Sequence, residues 1–272
     1  MIPFEFGACT TQGARSYQED TALVWPGGNT PFPPAKAADV SSSSDVRGVQ
    51  KAEMVAVLAD GMGGHAGGAL ASRMACEEFI KYMAAVDGET RDRLAAGLYA
   101  ANDAIAEKVS ANPLLNGMGS TLVGVLFSKD GVEWVSVGDS PLFLYRGGEI
   151  AVLNEDHSLA PELDRMVELG RMTPDAAKRD PRRHMLRSAV TGEDLDLVDF
   201  SGKPLRVEPG DYVILASDGV NSLEPSEIER IVAAYAEDGA EAVAKALIRA
   251  VEALRDPHQD NTTVIAVRRA PA

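Results

Sequence analysis

Four aspartates stand where apolar stretches of the chain meet turn residues, and their side chains have the clearest potential for chemistry. Asp60, Asp139 and Asp218 follow apolar runs, and Asp260 comes just before one. Three of the four have a glycine neighbour, which allows a main-chain carbonyl to approach a ligand closely. Several unpaired carboxylates at one end of a sheet would repel each other unless cations neutralised them. Convergence of these acids would therefore imply a metal site.

The metal that such a site favours is Mg²⁺ or Mn²⁺, because the ligands would be oxygens and no His and Cys set accompanies them. Two such ions about 4 Å apart can activate a water and offset the charge of phosphoryl oxygens. Arg15 is the candidate for binding those oxygens. Two simpler interpretations stay open at this point: a tight turn at Asp60 without a ligand, and a surface salt bridge between Arg15 and nearby acids.

Short apolar strands and pairs of amphipathic helices must position these residues. Helical spacing predicts consecutive helices over 66–86 and 90–111, and again over 225–236 and 240–254. Strands are predicted over 2–10, 21–25, 55–59, 122–127, 132–137, 142–145, 150–153, 211–216 and 262–267. Consecutive helix pairs argue against simple βαβ alternation. They favour an α+β fold with helices layered on antiparallel sheet.

Two segments depart from this pattern. Residues 27–50 are rich in Gly, Pro and Ser and lack periodicity, which predicts an inserted flexible loop. Residues 158–200 contain two short predicted helices and the most basic part of the chain. Its cations are Arg165, Arg171, Lys178, Arg179, Arg182, Arg183 and Arg187. They either face an anionic substrate or form an ordinary solvated face. Because no repeat or second core is evident, residues 1–272 are predicted to form a single domain.

The composition and charge of the chain argue against several classes of protein. The chain has 272 residues and a formal charge of −15, which opposes binding to nucleic acid or to an anionic membrane. Cys9 and Cys76 have no framework spacing, which favours a reducing compartment. The first residues lack the features of a signal peptide, and no run approaches the roughly 20 apolar residues of a membrane span. We therefore expect a soluble, cytoplasmic protein, and a monomer.

A set of six motifs, in a fixed order, resembles the bacterial form of the metal-dependent serine/threonine protein phosphatases of type 2C, the PPM family. The motifs are Arg15 with Glu19-Asp20, Asp60-Gly61-Met62-Gly63-Gly64, Gly119-Ser120-Thr121, Val137-Gly138-Asp139-Ser140, Ala216-Ser217-Asp218-Gly219 and Asp260-Asn261-Thr262-Thr263. Each motif alone is weak, but the six together span nearly the whole chain.

The resemblance implies a four-layer αββα sandwich, in which two antiparallel sheets are flanked by helix pairs. It also implies a site for two Mn²⁺ or Mg²⁺ ions at one end, between the sheets. Asp60 would bridge the two ions, and Asp218 and Asp260 would hold the first. Glu19 and the Gly61 carbonyl would hold or orient the second.

Three further roles follow from the same resemblance. Asp20 would support the ligands through hydrogen bonds or water. Asp139, together with Asp218, would form a weaker third metal site. Arg15 would bind the substrate phosphate. The segment 158–200 would correspond to the flap near the active site.

The activity implied is hydrolysis of phosphoserine and phosphothreonine in proteins by a metal-activated water, which reverses a serine/threonine kinase. Expected partners are phosphorylated proteins, including such a kinase or its substrates. Three rivals stay open: a binding or sensing module without catalysis, a phosphatase dedicated to one phosphoprotein, and a phosphatase of small esters.

The chain departs from the family at a few positions. Pro141 stands where many members have Arg, and Val220-Asn221-Ser222 stands where many have a bulky residue and an acid. Eukaryotic members place a general-acid His directly after Asp-Gly, whereas this chain has Met62 there and His65 three positions later. The proton donor is therefore open, with metal-bound water as one candidate. The other histidines, His157, His184 and His258, are interpreted as local caps or surface residues.

Overall fold

The computed structural model describes residues 4–27, 53–64 and 66–269. Within these ranges the strands are β1 (Phe4–Thr11), β2 (Asp20–Trp25), β3 (Met54–Met62), β4 (Gly119–Ser120), β5 (Leu122–Phe127), β6 (Val132–Val137), β7 (Leu142–Arg146), β8 (Glu149–Val152), β9 (Asp199–Phe200), β10 (Tyr212–Ala216) and β11 (Thr262–Arg269). The α-helices are α1 (Ala66–Ala85), α2 (Thr90–Ala111), α3 (Ala160–Glu168), α4 (Pro174–Lys178), α5 (Pro225–Tyr235) and α6 (Ala240–Leu254).

The strands form two antiparallel sheets. The first sheet has the order β1-β11-β10-β7-β8, and the second has the order β2-β3-β5-β6-β9 with the short β4 paired to β3. In the first sheet β11 lies between β1 and β10, so the last strand in sequence is an interior strand. In the second sheet Asp20 of β2 lies opposite Asp60 of β3.

The central strands read as continuous apolar runs because both of their faces are covered. In β3, Val55 and Val57 pack with α1 and α2, whereas Ala56 and Leu58 pack against the other sheet. A third cluster fills the space between the first sheet and the helix pair α5 and α6. Alternate residues of one strand therefore serve two different cores. The four-layer αββα architecture is confirmed.

The predicted elements agree with the observed ones to within a few residues, and two short strands were missed. β4 and β9 have two residues each and carry no pattern of their own. The loop predicted over 27–50 lies, beyond residue 27, outside the described residues. None of the helices in the described ranges combines the length and the apolar character needed to cross a bilayer.

Candidate functional site

The four aspartates singled out from the sequence come together at one end of the sandwich. Asp60 lies in β3 and Asp139 in the turn after β6, so both belong to the second sheet. Asp218 follows β10 and Asp260 precedes β11, so both belong to the first sheet. All four line one cavity of about 690 Å³. The site is therefore assembled from both sheets.

The other predicted site residues lie at the same place. Arg15, Glu19 and Gly61 also line the cavity. Asp20 does not line it; the side chain lies buried behind it, where Oδ2 accepts a hydrogen bond of 2.8 Å from Ser217 Oγ. Seven of the eight predicted residues thus share the cavity, and the position of Asp20 suits a supporting role.

Two glycines allow the backbone to pack tightly beneath Glu19. A Cβ on Gly61 would stand 2.1 Å from the Gly68 carbonyl oxygen, and a Cβ on Gly68 would stand 2.4 Å from Glu19 Oε1. The Gly61 N–H donates a 3.1 Å hydrogen bond to the Glu19 carbonyl oxygen. Side chains at either position would push these groups apart.

The buried acids of the site disfavour one another's ionisation. Burial and the charge of Asp218 raise the pKa of Asp20 and the pKa of Asp139 to about 7. Burial and the charge of Asp20 raise the pKa of Asp60 well above its ordinary value, and burial with the charge of Asp260 raises the pKa of Asp218. A bound cation would remove this repulsion.

The donor chemistry fits divalent cations. Among the described residues, Asp20 Oδ1 and Asp218 Oδ1 are buried oxygens without a hydrogen-bond partner. As the side chains stand, no group of three or more His, Cys, Asp or Glu within the described ranges is arranged so that it could hold an ion. The oxygen-rich residues present therefore fit a site for divalent cations.

Arg15 is already paired with one of the acids. Its guanidinium donates a hydrogen bond to Asp260 Oδ2 in an ion pair at the cavity rim. This hydrogen bond raises the pKa of Arg15 above its already high value. Both side chains are partly exposed, so the pair can open at little cost.

Hydroxyl groups from two of the six motifs hold Asp60 in place, a role that the sequence analysis did not predict. The Asp60 N–H donates to Thr121 Oγ1 at 2.9 Å, and the Asp60 carbonyl oxygen accepts from Ser120 Oγ at 2.8 Å. Thr121 Oγ1 also shares a 2.7 Å hydrogen bond with Ser140 Oγ. The three hydroxyl residues belong to the motifs Gly119-Ser120-Thr121 and Val137-Gly138-Asp139-Ser140, and that membership is the sequence signal that could have indicated their role.

Asn261 fixes the loop that carries Arg15 and Glu19. Its Oδ1 accepts a 2.7 Å hydrogen bond from the Glu19 N–H, and its Nδ2 donates to the carbonyl oxygens of Gln12 and Tyr17 at 2.8 and 3.0 Å. The side chain is 3% exposed. One buried amide thus ties the loop to the residue next to Asp260.

Only part of the basic segment 158–200 lines the cavity. Of its cations, Arg187 lines the cavity. Arg183 instead donates two 2.8 Å hydrogen bonds to Asp164, and Arg182 pairs with Asp180. Most of the positive charge whose interactions the structure describes is therefore used within the segment.

The three described histidines have different surroundings. His157 is buried, and its Nδ1 accepts a 3.2 Å hydrogen bond from the Gly138 N–H. Burial lowers its pKa. His258 is exposed. His184 is exposed as well, but it lines the cavity, whereas His65 lies outside the described residues.

The comparisons with known proteins all point to the same family. A family model described as Protein phosphatase 2C matches residues 42–256. The chain is 36% identical over 214 residues to the serine/threonine protein phosphatase PstP of Mycobacterium tuberculosis. It is 33% identical over 181 residues to the protein phosphatase PhpP of Streptococcus pneumoniae, covering 65% of this chain and 71% of PhpP.

The architecture agrees with a solved structure of the same kind. The structure of the catalytic domain of PstP in complex with two manganese ions superposes with a TM-score of 0.73 at 26% identity, and the match covers 98% of this chain and 99% of that one. The match to the full-length PstP sequence covers 76% of this chain and only 39% of PstP. The chain therefore spans about two fifths of the length of that relative. On the family match and the identity to PhpP, the chain belongs to the Protein phosphatase 2C family.

Proposed function

We propose that the protein is a protein-serine/threonine phosphatase that requires Mn²⁺ or Mg²⁺. The observation that supports this most directly is the meeting of Asp60, Asp139, Asp218 and Asp260 from two sheets in one cavity beside Arg15. The names of PstP and PhpP as protein phosphatases, and the two manganese ions in a PstP structure, support the same proposal.

In the proposed site, Asp60 would be a ligand shared by two cations. Asp218 and Asp260 would be further ligands of the first cation. Glu19 and the Gly61 carbonyl would hold or orient the second. Bound divalent cations supply an activated water and offset the charge of the phosphoryl group. The buried, unpartnered Asp218 Oδ1 supports a ligand role for that residue.

The remaining residues would position the substrate and the ligands. Asp20 would orient neighbouring groups from behind the cavity, consistent with its hydrogen bond from Ser217. Asp139 would share a weaker third ion with Asp218. Arg15 would bind the phosphoryl oxygens, and its ion pair with Asp260 already holds the guanidinium at the rim.

Release of phosphate from a phosphothreonine peptide tests the proposal. We expect turnover with Mn²⁺ or Mg²⁺ and none with EDTA. Asp60→Asn and Asp218→Asn should each lower kcat by at least about 100-fold, because the electrostatic arrangement around the phosphoryl group is lost. Asp130→Asn is the matched control, since Asp130 is an acid in the turn between β5 and β6 and does not line the cavity.

Full activity of folded Asp218→Asn protein would reject this mechanism. Inactivity of the folded wild-type protein with either metal would favour a binding module instead. A panel of unrelated phosphopeptides and small phosphate esters then distinguishes a broad protein phosphatase from one dedicated to a single phosphoprotein or to small esters.

We also propose a single phosphatase domain over 1–272 that acts on phosphoproteins, including a serine/threonine kinase or its substrates. A cytoplasmic setting suits Cys9 and Cys76, which are both free thiols. A monomer suits the scatter of the large exposed apolar side chains over different elements in the described ranges. Light scattering of the purified protein tests the monomer, and fractionation of cells tests the compartment.

A further inference from the structure

Hydrolysis of a serine or threonine phosphate needs a proton donor for the leaving oxygen. An alkoxide is a poor leaving group, and a positioned general acid contributes about 10²–10⁴-fold to such a step. Histidine is the side chain that most readily supplies a proton near neutral pH. The question is which group of this cavity can do so.

His184 is placed at the cavity wall by contacts on both sides of it. Arg183 donates two 2.8 Å hydrogen bonds to Asp164. Leu186 forms a bridge with Ser158, and the Arg187 N–H donates to the His157 carbonyl oxygen at 2.8 Å. The backbone around His184 is therefore anchored, while its imidazole is exposed and lines the cavity that holds the aspartates.

The other ionisable groups of this cavity are poorly suited to donating a proton. The guanidinium groups of Arg15 and Arg187 retain their protons in proteins. Carboxylates that hold cations must be deprotonated. Three further acids, Glu193, Asp194 and Asp196, line the cavity as well. The reference pKa values of Asp and Glu side chains, however, are about 4, well below that of an imidazole. Among the described residues that line the cavity, His184 is the one imidazole.

We propose that His184 is the general acid that protonates the leaving oxygen, an inference that rests on the proposed phosphatase function. A water oxygen forms a bond to phosphorus, the bond from phosphorus to the serine or threonine Oγ breaks, and its electron pair takes the proton of the His184 imidazolium. The water keeps one proton in the hydrogen phosphate product and releases the other. The neutral imidazole regains a proton from solvent, so the cycle closes.

The test compares two leaving groups. p-Nitrophenolate is a stable anion and leaves without a proton, whereas the oxygen of phosphothreonine needs one. In His184→Gln, kcat on a phosphothreonine peptide should fall by about 100-fold or more, while kcat on p-nitrophenyl phosphate should change by less than about threefold. Mn²⁺ affinity, measured by calorimetry, should match the wild type, because the imidazole is not a ligand.

Two further variants serve as controls. Met185→Gln alters the next side chain of the same cavity wall, which is 57% exposed. Neither methionine nor glutamine transfers a proton near neutral pH, so this variant changes the cavity wall without removing a proton donor. Both substrates should therefore react at near wild-type rates. His65→Gln tests the histidine that follows Asp60 most closely in the sequence. This variant should not lose activity selectively on the phosphothreonine peptide.

Three results would overturn the role of His184. One is an equal loss of activity on both substrates together with weaker Mn²⁺ binding, which would make it a ligand or a structural residue. The second is unchanged activity on the peptide. The third is a peptide-selective loss in His65→Gln instead. Failure of the wild-type protein to hydrolyse either substrate would reject the proposed function itself, and is visible before any variant is compared.

Discussion

Gly68 shows how a residue without a side chain can set the geometry of a charged one. It lies buried in the first turn of α1, and the space that its Cβ would take is occupied by Glu19 Oε1 and by the Gly61 backbone. The proposed ligands Glu19 and Gly61 thus depend on a residue that carries no functional group.

Gly68→Ala should weaken Mn²⁺ binding by roughly 10-fold, the scale typical of changes beside metal ligands. The added methyl would displace the Glu19 carboxylate and press on the Gly61 backbone. Gly67→Ala is the matched control in the same helical turn, because its Cβ would meet only Met118 Cβ, at 3.5 Å. Calorimetric titration with Mn²⁺ measures both variants, and equal affinities would contradict this account.

At the level of single residues, the sequence indicated the acidic residues but not the hydrogen bonds that hold them in place. Asp60 and Asp218 could be predicted because they end apolar runs beside glycine. The hydrogen bonds of Ser120 and Thr121 to Asp60, and the bond of Asn261 to Glu19, join residues that are 60 to 242 positions apart in the sequence. Hydroxyl and amide side chains in turns have many uses, so spacing alone does not reveal such pairs.

Among the secondary-structure elements, β5 and α1 approach each other closely. A Cβ on Gly124 would stand 2.2 Å from Phe79 Cζ and 2.6 Å from Phe79 Cε1. The Phe79 side chain is fully buried. The ring of the helix therefore lies directly on the strand backbone, and that close approach sets the distance between the two layers.

Gly124→Ala should lower the free energy of unfolding by about 1–3 kcal/mol, the usual cost of overpacking a core. Urea denaturation followed by circular dichroism measures the loss. Gly202→Ala is the control, because no atom lies within 4 Å of its Cβ position. Adding Phe79→Leu to Gly124→Ala should recover part of the loss; a double variant less stable than the sum of the single changes would argue against the clash.

At the level of secondary-structure elements, the sequence pattern predicts the long elements but not the short ones. Long helices and buried strands were predicted closely, since each carries enough apolar residues to show a period. The two-residue strands β4 and β9 have no period, and their pairing is decided by neighbours such as Gly61 and Val135. The segment between α4 and β9 is irregular for the same reason, and its contribution of His184 to the cavity followed only from the fold.

For the whole molecule, one electrostatic feature is a group of buried acids whose pKa values are raised. The pKa values of Asp20 and Asp139 are raised to about 7, and those of Asp60 and Asp218 are raised as well, in each case chiefly by burial. The folded state therefore holds more protons at these sites than the unfolded state does between about pH 4 and pH 7.

In EDTA, stability should fall as the pH rises through that window, because the state that binds more protons is favoured at low pH. His157 acts in the opposite direction, since its lowered pKa favours the folded state as the pH rises, but it is one group against four. Asp164 and Asp180 have lowered pKa values, so their stabilising effect is lost only at lower pH.

Urea denaturation at pH 5 and pH 7.5, with EDTA and with Mn²⁺, measures this dependence. Mn²⁺ should restore stability most at pH 7.5, because cations bind the deprotonated acids. Asp60→Asn in EDTA should reduce the slope, since one of the four groups no longer titrates. Stability that rises with pH in EDTA would contradict the burial of these acids.

The interior position of β11 also has a consequence for the order in which the parts of the protein are made. β11 lies between β1 and β10, and Asp260 and Asn261 come just before it. Until residues 260–269 have left the ribosome, β1 has no partner in its sheet and the loop of Arg15 has no anchor. A nascent chain can therefore carry three of the four aspartates while the fourth is still missing, so the proposed catalytic site is complete only after β11 has been made.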